Sequence, residues 1–180
     1  GDKICISGKS GSGKSTLVDI ITGIVDYKDL KIFYDGNEIK DNVFFQKKNF
    51  SYVPQSPSIF QTTIKENITL FDDDIDQLKY DNALKLSRLD FIKNLEEKDN
   101  TILSENGDNV SGGQLQRIFL ARAIYSNKNI LIFDESTNEL DSKTENEIVD
   151  DILNLPQSVL FITHKEDIKK KFSKLFEIKN

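Results

Sequence analysis

A single cysteine, Cys5, leaves no disulfide within the 180-residue chain and no cysteine-built zinc module. It sits in the first apolar stretch, reads as a small buried hydrophobe, and fits a reducing compartment. No apolar run approaches the roughly 20 residues that a bilayer-spanning helix needs. No secretory signal is present either, so a membrane role has to come through a partner or through further chain. Positive charge is in deficit: 24 Lys and Arg against 30 Asp and Glu leave a net charge of −6. That balance speaks against a nucleic-acid-binding face and says little about a nucleotide site, which is local. Asp72-Asp73-Asp74 reads as a solvated loop or helix start rather than a metal cluster. Internal repeats and low-complexity tracts are missing. What is present, 37% hydrophobic and 30% charged residues, suits one globular domain or one core with an inserted subdomain.

The most informative stretch is Gly8-Lys9-Ser10-Gly11-Ser12-Gly13-Lys14-Ser15, followed by Thr16. It fits G-x-x-x-x-G-K-[ST], and it lies between an apolar segment, Lys3–Ser7, and a helix-compatible one, Ser15–Ile21. Glycines let such a loop curl into a concave nest of N–H groups around a β-phosphate. The positive end of the next helix adds to the field. Lys14 reaches the β- and γ-phosphates, and the Ser15 hydroxyl is placed to ligate Mg²⁺. A bare Gly/Ser surface loop would not need the strand before it and the helix after it.

Short apolar runs alternate with longer amphipathic ones, the pattern of a parallel sheet covered by helices. Strands are predicted at Lys3–Ser7, Phe50–Val53, Ile130–Phe133, Val159–Thr163 and Lys174–Ile178, and a hairpin with a D-G turn at 31–39. Helices are predicted at about 76–87, about 88–95 and Ser111–Tyr125. Residues 56–122 read as a helical insertion in an α/β core formed by 1–55 and 123–180.

Ile130–Phe133 ends in Asp134-Glu135, which places two carboxylates at the carboxyl end of a strand, beside the crevice of an open α/β sheet. One acid there can hold a magnesium shell; the next can orient and deprotonate an attacking water. Val110-Ser111-Gly112-Gly113-Gln114 opens the helix to Tyr125. Two glycines weaken a helix start but allow close backbone approach and expose N–H groups to an anion. The helix behind them reads as amphipathic, with Leu115, Ile118 and Phe119 on one side and Arg117 on another.

Gly8–Ser15, Gln55 within Tyr52-Val53-Pro54-Gln55, Val110–Gln114, Ile130–Glu135, Asp141 and His164 stand in an order and spacing that resembles an ABC-type ATPase domain. The chain looks like the nucleotide-binding domain of an ATP-binding cassette transporter along nearly its whole length. Phe60–Ile68 and Thr101–Gly107 resemble the exporter branch. The resemblance implies a P-loop NTPase (RecA-like) core with a mainly parallel sheet and an inserted helical subdomain. It implies ATP and Mg²⁺ as ligands, bound by Gly8, Lys9, Ser10, Gly11, Ser12, Gly13, Lys14, Ser15 and Thr16. Gln55 would sense the γ-phosphate and the metal, held together with Ser15 and Asp134. Lys14 and His164 would contact the γ-phosphate, with Glu135 as general base. Ser111, Gly112, Gly113 and Gln114 would complete the site of a second copy in a head-to-tail dimer. A transmembrane domain on the same polypeptide would be the other partner, which places this one on the cytoplasmic face of a membrane, a bacterial inner membrane.

Some positions depart from the family pattern. Val110 replaces Leu, and Glu139 stands where the family has a small residue, with consequences for communication between paired sites. The resemblance also implies truncation at both ends, with the adenine-stacking aromatic residue lying before Gly1; neither Tyr27 nor Tyr34 takes that role. A soluble ABC-type ATPase acting on nucleic acid is the alternative. It would carry long heptads or zinc modules between Ser15 and Ser111, where neither appears. A catalytically dead regulatory module would not need Lys14, Asp134, Glu135 and His164 intact. Peptides, lipids, drugs and lipid-linked sugars all stay open as cargo.

Overall fold

A computed structural model gives the fold; it describes residues 1–9, 11–25, 31–39 and 48–178. Ser10, Tyr27 and Asn180 lie outside the described residues. Five strands, β1 (Lys3–Gly8), β4 (Phe50–Val53), β5 (Ile130–Asp134), β6 (Ser158–Ile162) and β7 (Lys174–Ile178), form one sheet in the order β4-β5-β6-β1-β7. Every pairing in it is parallel. The fold is therefore α/β with a parallel sheet.

The near-continuous apolar runs are explained by burial on both sheet faces. Cys5, Leu131, Phe133, Val159 and Phe161 point into one layer, against α5 (Ser142–Leu153) and α6 (Glu166–Lys169). Their alternate neighbours Ile6, Ile132 and Ile162 meet Val18 of α1 (Lys14–Thr22) on the other face. Burial pushes the Cys5 thiol up to about 11, which keeps it a neutral packing group.

The hairpin β2 (Phe33–Tyr34) and β3 (Asn37–Glu38) turns at Asp35-Gly36, both at positive φ (48° and 78°), the type I′ geometry that matches strand twist. It forms a separate two-stranded sheet.

A second apolar cluster lies under α2 (Ile64–Thr69), α3 (Gln77–Leu86) and one side of α4 (Gly112–Tyr125). α2 starts with a reciprocal Thr63/Glu66 capping box, and α3 with Asp76 accepting from the Lys79 amide at 3.1 Å. Two expectations change. Residues Leu89–Asn94 form a 3₁₀ helix rather than an α-helix, because Arg88 (φ 54°) breaks the run and leaves Leu89 and Ile92 stacked at i, i+3. And α4 is not amphipathic: Phe119, Leu120 and Ala123 enter the sheet core while Ile118, Ala121 and Ile124 enter the second cluster. Arg117 is itself packed on the Phe91 ring at 5.2 Å and donates to the carbonyls of Arg88 and Gly113. Asp72 lies in an exposed loop and takes a hydrogen bond from the Tyr125 hydroxyl at 2.6 Å, which holds its carboxyl low. No helix among the described residues is long and apolar enough to cross a membrane.

Candidate functional site

In a parallel sheet all strands end on one edge, and the loops that leave that edge converge. Four of them build the site: the glycine loop after β1, Gln55 after β4, Glu135 after β5 and His164 after β6. They enclose a cleft of about 480 Å³ lined by Gly8, Gly11, Gly13, Lys14, Ser15, Thr16, Gln55, Asp134, Glu135 and His164.

Gly11 and Gly13 lie at φ 79° and 90°, and a Cβ added to either would meet nothing within 4 Å. The loop thus leaves an open cradle in a backbone shape that side chains disfavour. Lys14 begins α1 and folds its ammonium back on the carbonyls of Gly8 (2.9 Å) and Lys9 (3.0 Å). Ser12 Oγ is buried with no hydrogen-bond partner among the described residues. Lys9 is exposed and does not line the cleft.

Opposite stand the two acids. Asp134 is buried and accepts from the Tyr52 hydroxyl at 3.3 Å. Burial pushes its carboxyl above the usual range; the Tyr52 hydrogen bond opposes this, and Glu135 adds to it. Tyr52 is itself pushed up, by burial and then by Asp134. Glu135 takes a left-handed backbone (φ 47°), rare for a non-glycine residue, with its N–H donating to the Ile162 carbonyl at 3.0 Å. Its Oε1 stands 3.7 Å from His164 Nδ1. Its Oε2 accepts from Asn138 Nδ2 at 3.2 Å and faces Gln55 Nε2 at 3.5 Å. Asn138 and Tyr52 carry no signal at the level of motifs; only strand register and the turn after Glu135 bring them in.

Ser111, Gly112, Gly113 and Gln114 do not reach this cleft. Ser111 and Gln114 form a capping box: Ser111 Oγ accepts from the Gln114 amide at 3.3 Å, and Gln114 Oε1 from the Ser111 amide at 2.8 Å. The S-x-x-Q spacing was the available signal for it. A Cβ on Gly113 would lie 2.9 Å from the Glu139 carbonyl oxygen, so the helix start packs on the segment after Glu135. Gln116 Oε1 accepts the Glu139 amide at 2.9 Å, which fastens the same contact. Gln55 borders both the nucleotide-loop cleft and a second cleft of about 400 Å³ that includes Gly112 and Glu139. Asp141 caps α5, accepting from the Thr144 amide at 3.0 Å.

No group of three His, Cys, Asp or Glu residues among the described residues could hold a metal ion by itself. The donors that face each other across the cleft are few and oxygen-based: the Ser15 hydroxyl, the Gln55 amide and the Asp134 carboxylate. That set fits magnesium, which keeps most of its shell for water and substrate phosphates.

Residues 1–138 match the family model described as ABC transporter. The chain belongs to the ABC transporter family. It corresponds to that family's ATPase domain. It is 39% identical over 147 residues to multidrug resistance protein pgp-1 of Caenorhabditis elegans, covering 81% of this chain and 11% of that protein. It is 36% identical over 172 residues to the ATP-dependent lipid A-core flippase of Cupriavidus pinatubonensis (92% and 29%). With the sublancin-168-processing and transport ATP-binding protein SunT of Bacillus subtilis it shares 34% over 182 residues (99% and 26%). A bacterial Atm1-family ABC exporter with ATP bound superposes with a TM-score of 0.92 and 29% identity, over 99% of this chain and 32% of that one. The chain therefore spans less than a third of the length of these relatives.

Proposed function

We propose that this domain binds Mg-ATP and hydrolyses it to power export across a membrane, working as one half of a head-to-tail pair. The observation that carries the reading is the meeting of an open glycine cradle with a carboxylate, Glu135, held by Asn138 and His164 across one cleft. The N–H groups of the cradle and the Lys14 ammonium take the β- and γ-phosphates. Lys14 exchanges the Gly8 and Lys9 carbonyls for phosphate oxygens as ATP enters. Ser15, Gln55 and Asp134 would hold magnesium through their oxygens, and the metal would offset phosphate charge. Glu135 orients the attacking water and takes its proton, and His164 holds the γ-phosphate oxygens from the β6 side. Catalysis is then mainly positioning and charge stabilisation.

The Ser111–Gln114 tip faces outward, with the N–H groups of Gly112 and Gly113 unpaired among the described residues, so its role lies in a second copy. There it closes over the γ-phosphate bound to the first copy, and residues 56–122 act as the moving helical part. A groove of about 290 Å³ between Tyr52, Pro57, Leu70 and Arg122, beside exposed Phe60 and Phe71, offers an apolar seat for the membrane-embedded partner. Given the share of its relatives that the chain spans, we place that partner on the same polypeptide, with this domain on the cytoplasmic face. The relatives are both bacterial and eukaryotic; likeness to the bacterial lipid A-core flippase is what supports a bacterial inner membrane. Their names also favour export over action on nucleic acid, in line with the net charge of −6.

The test is Glu135→Gln in the assembled transporter. Turnover should fall by on the order of a hundredfold or more, while ATP binding persists and an ATP-bound dimer accumulates on size exclusion. Unchanged turnover removes Glu135 from its role.

A further inference from the structure

The core-facing side of α5 is apolar at Ile148, Val149 and Ile152, yet one turn earlier it carries Glu145, 1% exposed. A carboxylate so far from water is costly unless both oxygens are satisfied. They are, and by two different loops. Oε1 accepts from Thr137 Oγ1 at 2.6 Å, and Oε2 pairs with Lys165 Nζ at 2.7 Å. Thr137 is two residues past Glu135, and Lys165 directly follows His164. Lys165 is further fixed through its amide, which donates to Thr163 Oγ1 at 3.1 Å. Glu145 itself is anchored at the start of a capped helix, its amide donating to the Asp141 carbonyl at 2.9 Å.

We propose that Glu145 is a positioning residue for ATP hydrolysis: a buried clasp that holds the Glu135 loop and the His164 loop in fixed relation. Its carboxylate does not line the nucleotide cleft, so it acts only through Thr137 and Lys165. An apolar residue would fill the same space, as it does at Ile148; the two carboxyl oxygens are what let one side chain grip two loops. The turn at Glu135 is left-handed, a backbone shape a non-glycine residue disfavours, and Thr137 supplies a fixed point just beyond it. The inference rests on the reading of Glu135 as base and His164 as phosphate contact.

The experiment is a double-mutant cycle in the assembled transporter, with steady-state ATPase kinetics and thermal unfolding recorded for Glu145→Gln, Glu135→Gln and the pair. Glu145→Gln should lower kcat about tenfold or more, because misplacing a catalytic group is costly. KM for ATP should stay within about twofold, since the cradle on β1 and α1 is untouched. In the Glu135→Gln background the same substitution should cost clearly less than in the wild type, because only the His164 contact is left to misplace. Equal loss in both backgrounds, a parallel rise in KM, or unchanged kcat overturns the clasp while leaving Glu135 in its role. Normal turnover of Glu135→Gln overturns both. If Glu145→Gln does not fold, Thr137→Val releases the Glu135 loop alone and is read in the same cycle with the same outcomes.

Discussion

Two glycine-rich segments serve the same nucleotide in the proposed cycle, and their glycines answer to different physics. In the loop after β1, Gly11 and Gly13 are demanded by backbone shape, and the space above them is empty. At the start of α4, Gly113 is demanded by crowding from the Glu139 carbonyl, and the backbone there is ordinary helix. The first segment is a vessel built for something outside the chain. The second is shaped first by its own chain: Ser111 and Gln114 cap each other, Gly113 admits the neighbouring loop, and only what remains faces outward. A motif rich in glycine is therefore not one kind of site.

The contrast breaks most sharply at Lys14. Lys14→Ala removes a side-chain charge that reaches into the cradle, and ATP affinity should fall about a hundredfold or more, on the basis of two charge-assisted hydrogen bonds at about 1.5–3 kcal/mol each. Titration with a fluorescent ATP analogue reads this, and undiminished affinity refutes the cradle. Gly113→Ala should act the other way. Its methyl meets backbone, so the fold should lose about 1–3 kcal/mol, visible as a lowered Tm, with ATP affinity nearly unchanged. A large loss of affinity at unchanged Tm would dissolve the distinction between the two segments. Asn138→Leu should lower kcat by about tenfold, the worth of one hydrogen bond to a carboxylate, with KM steady. A shift in KM instead would place Asn138 on the nucleotide rather than on Glu135. Smallest is Ser111→Ala, which removes a helix cap worth about 1 kcal/mol. If its effect on turnover far exceeds that of the mild loss in Tm, the hydroxyl also serves a ligand in the closed pair.

Much of the sheet was legible because burial on both faces writes itself as unbroken runs of Ile, Val, Leu and Phe. Ile130–Phe133 and Val159–Thr163 shift by only a residue against β5 and β6. Asp35-Gly36 announced its turn because few residue pairs tolerate two positive φ angles. The converging loops at the sheet edge follow from Gly8–Ser15 and Asp134-Glu135 once the sheet is parallel. What stayed hidden depends on tertiary contact. Asn138 reaches Glu135 only because of a left-handed turn, and Tyr52 meets Asp134 only through strand register. The two-sided burial of α4 was misread because Arg117 looks solvent-facing until Phe91 is found beneath it. The 3₁₀ turn at Leu89–Asn94 hangs on one backbone angle, at Arg88.

α4 sinks one flank into each apolar cluster, and its far end carries the half-buried Arg122, whose guanidinium is lowered to about 10 by burial and bonded to Ser58 and Asn67. Such a rod has no soft side along which to bend. A push arriving near Phe60, whose ring lies 5.5 Å from the Arg122 guanidinium, would meet that helix and be passed along it toward the Ser111 end. In the proposed pair, that one helix would thus tie a surface event at one end of the domain to the second copy's nucleotide at the other.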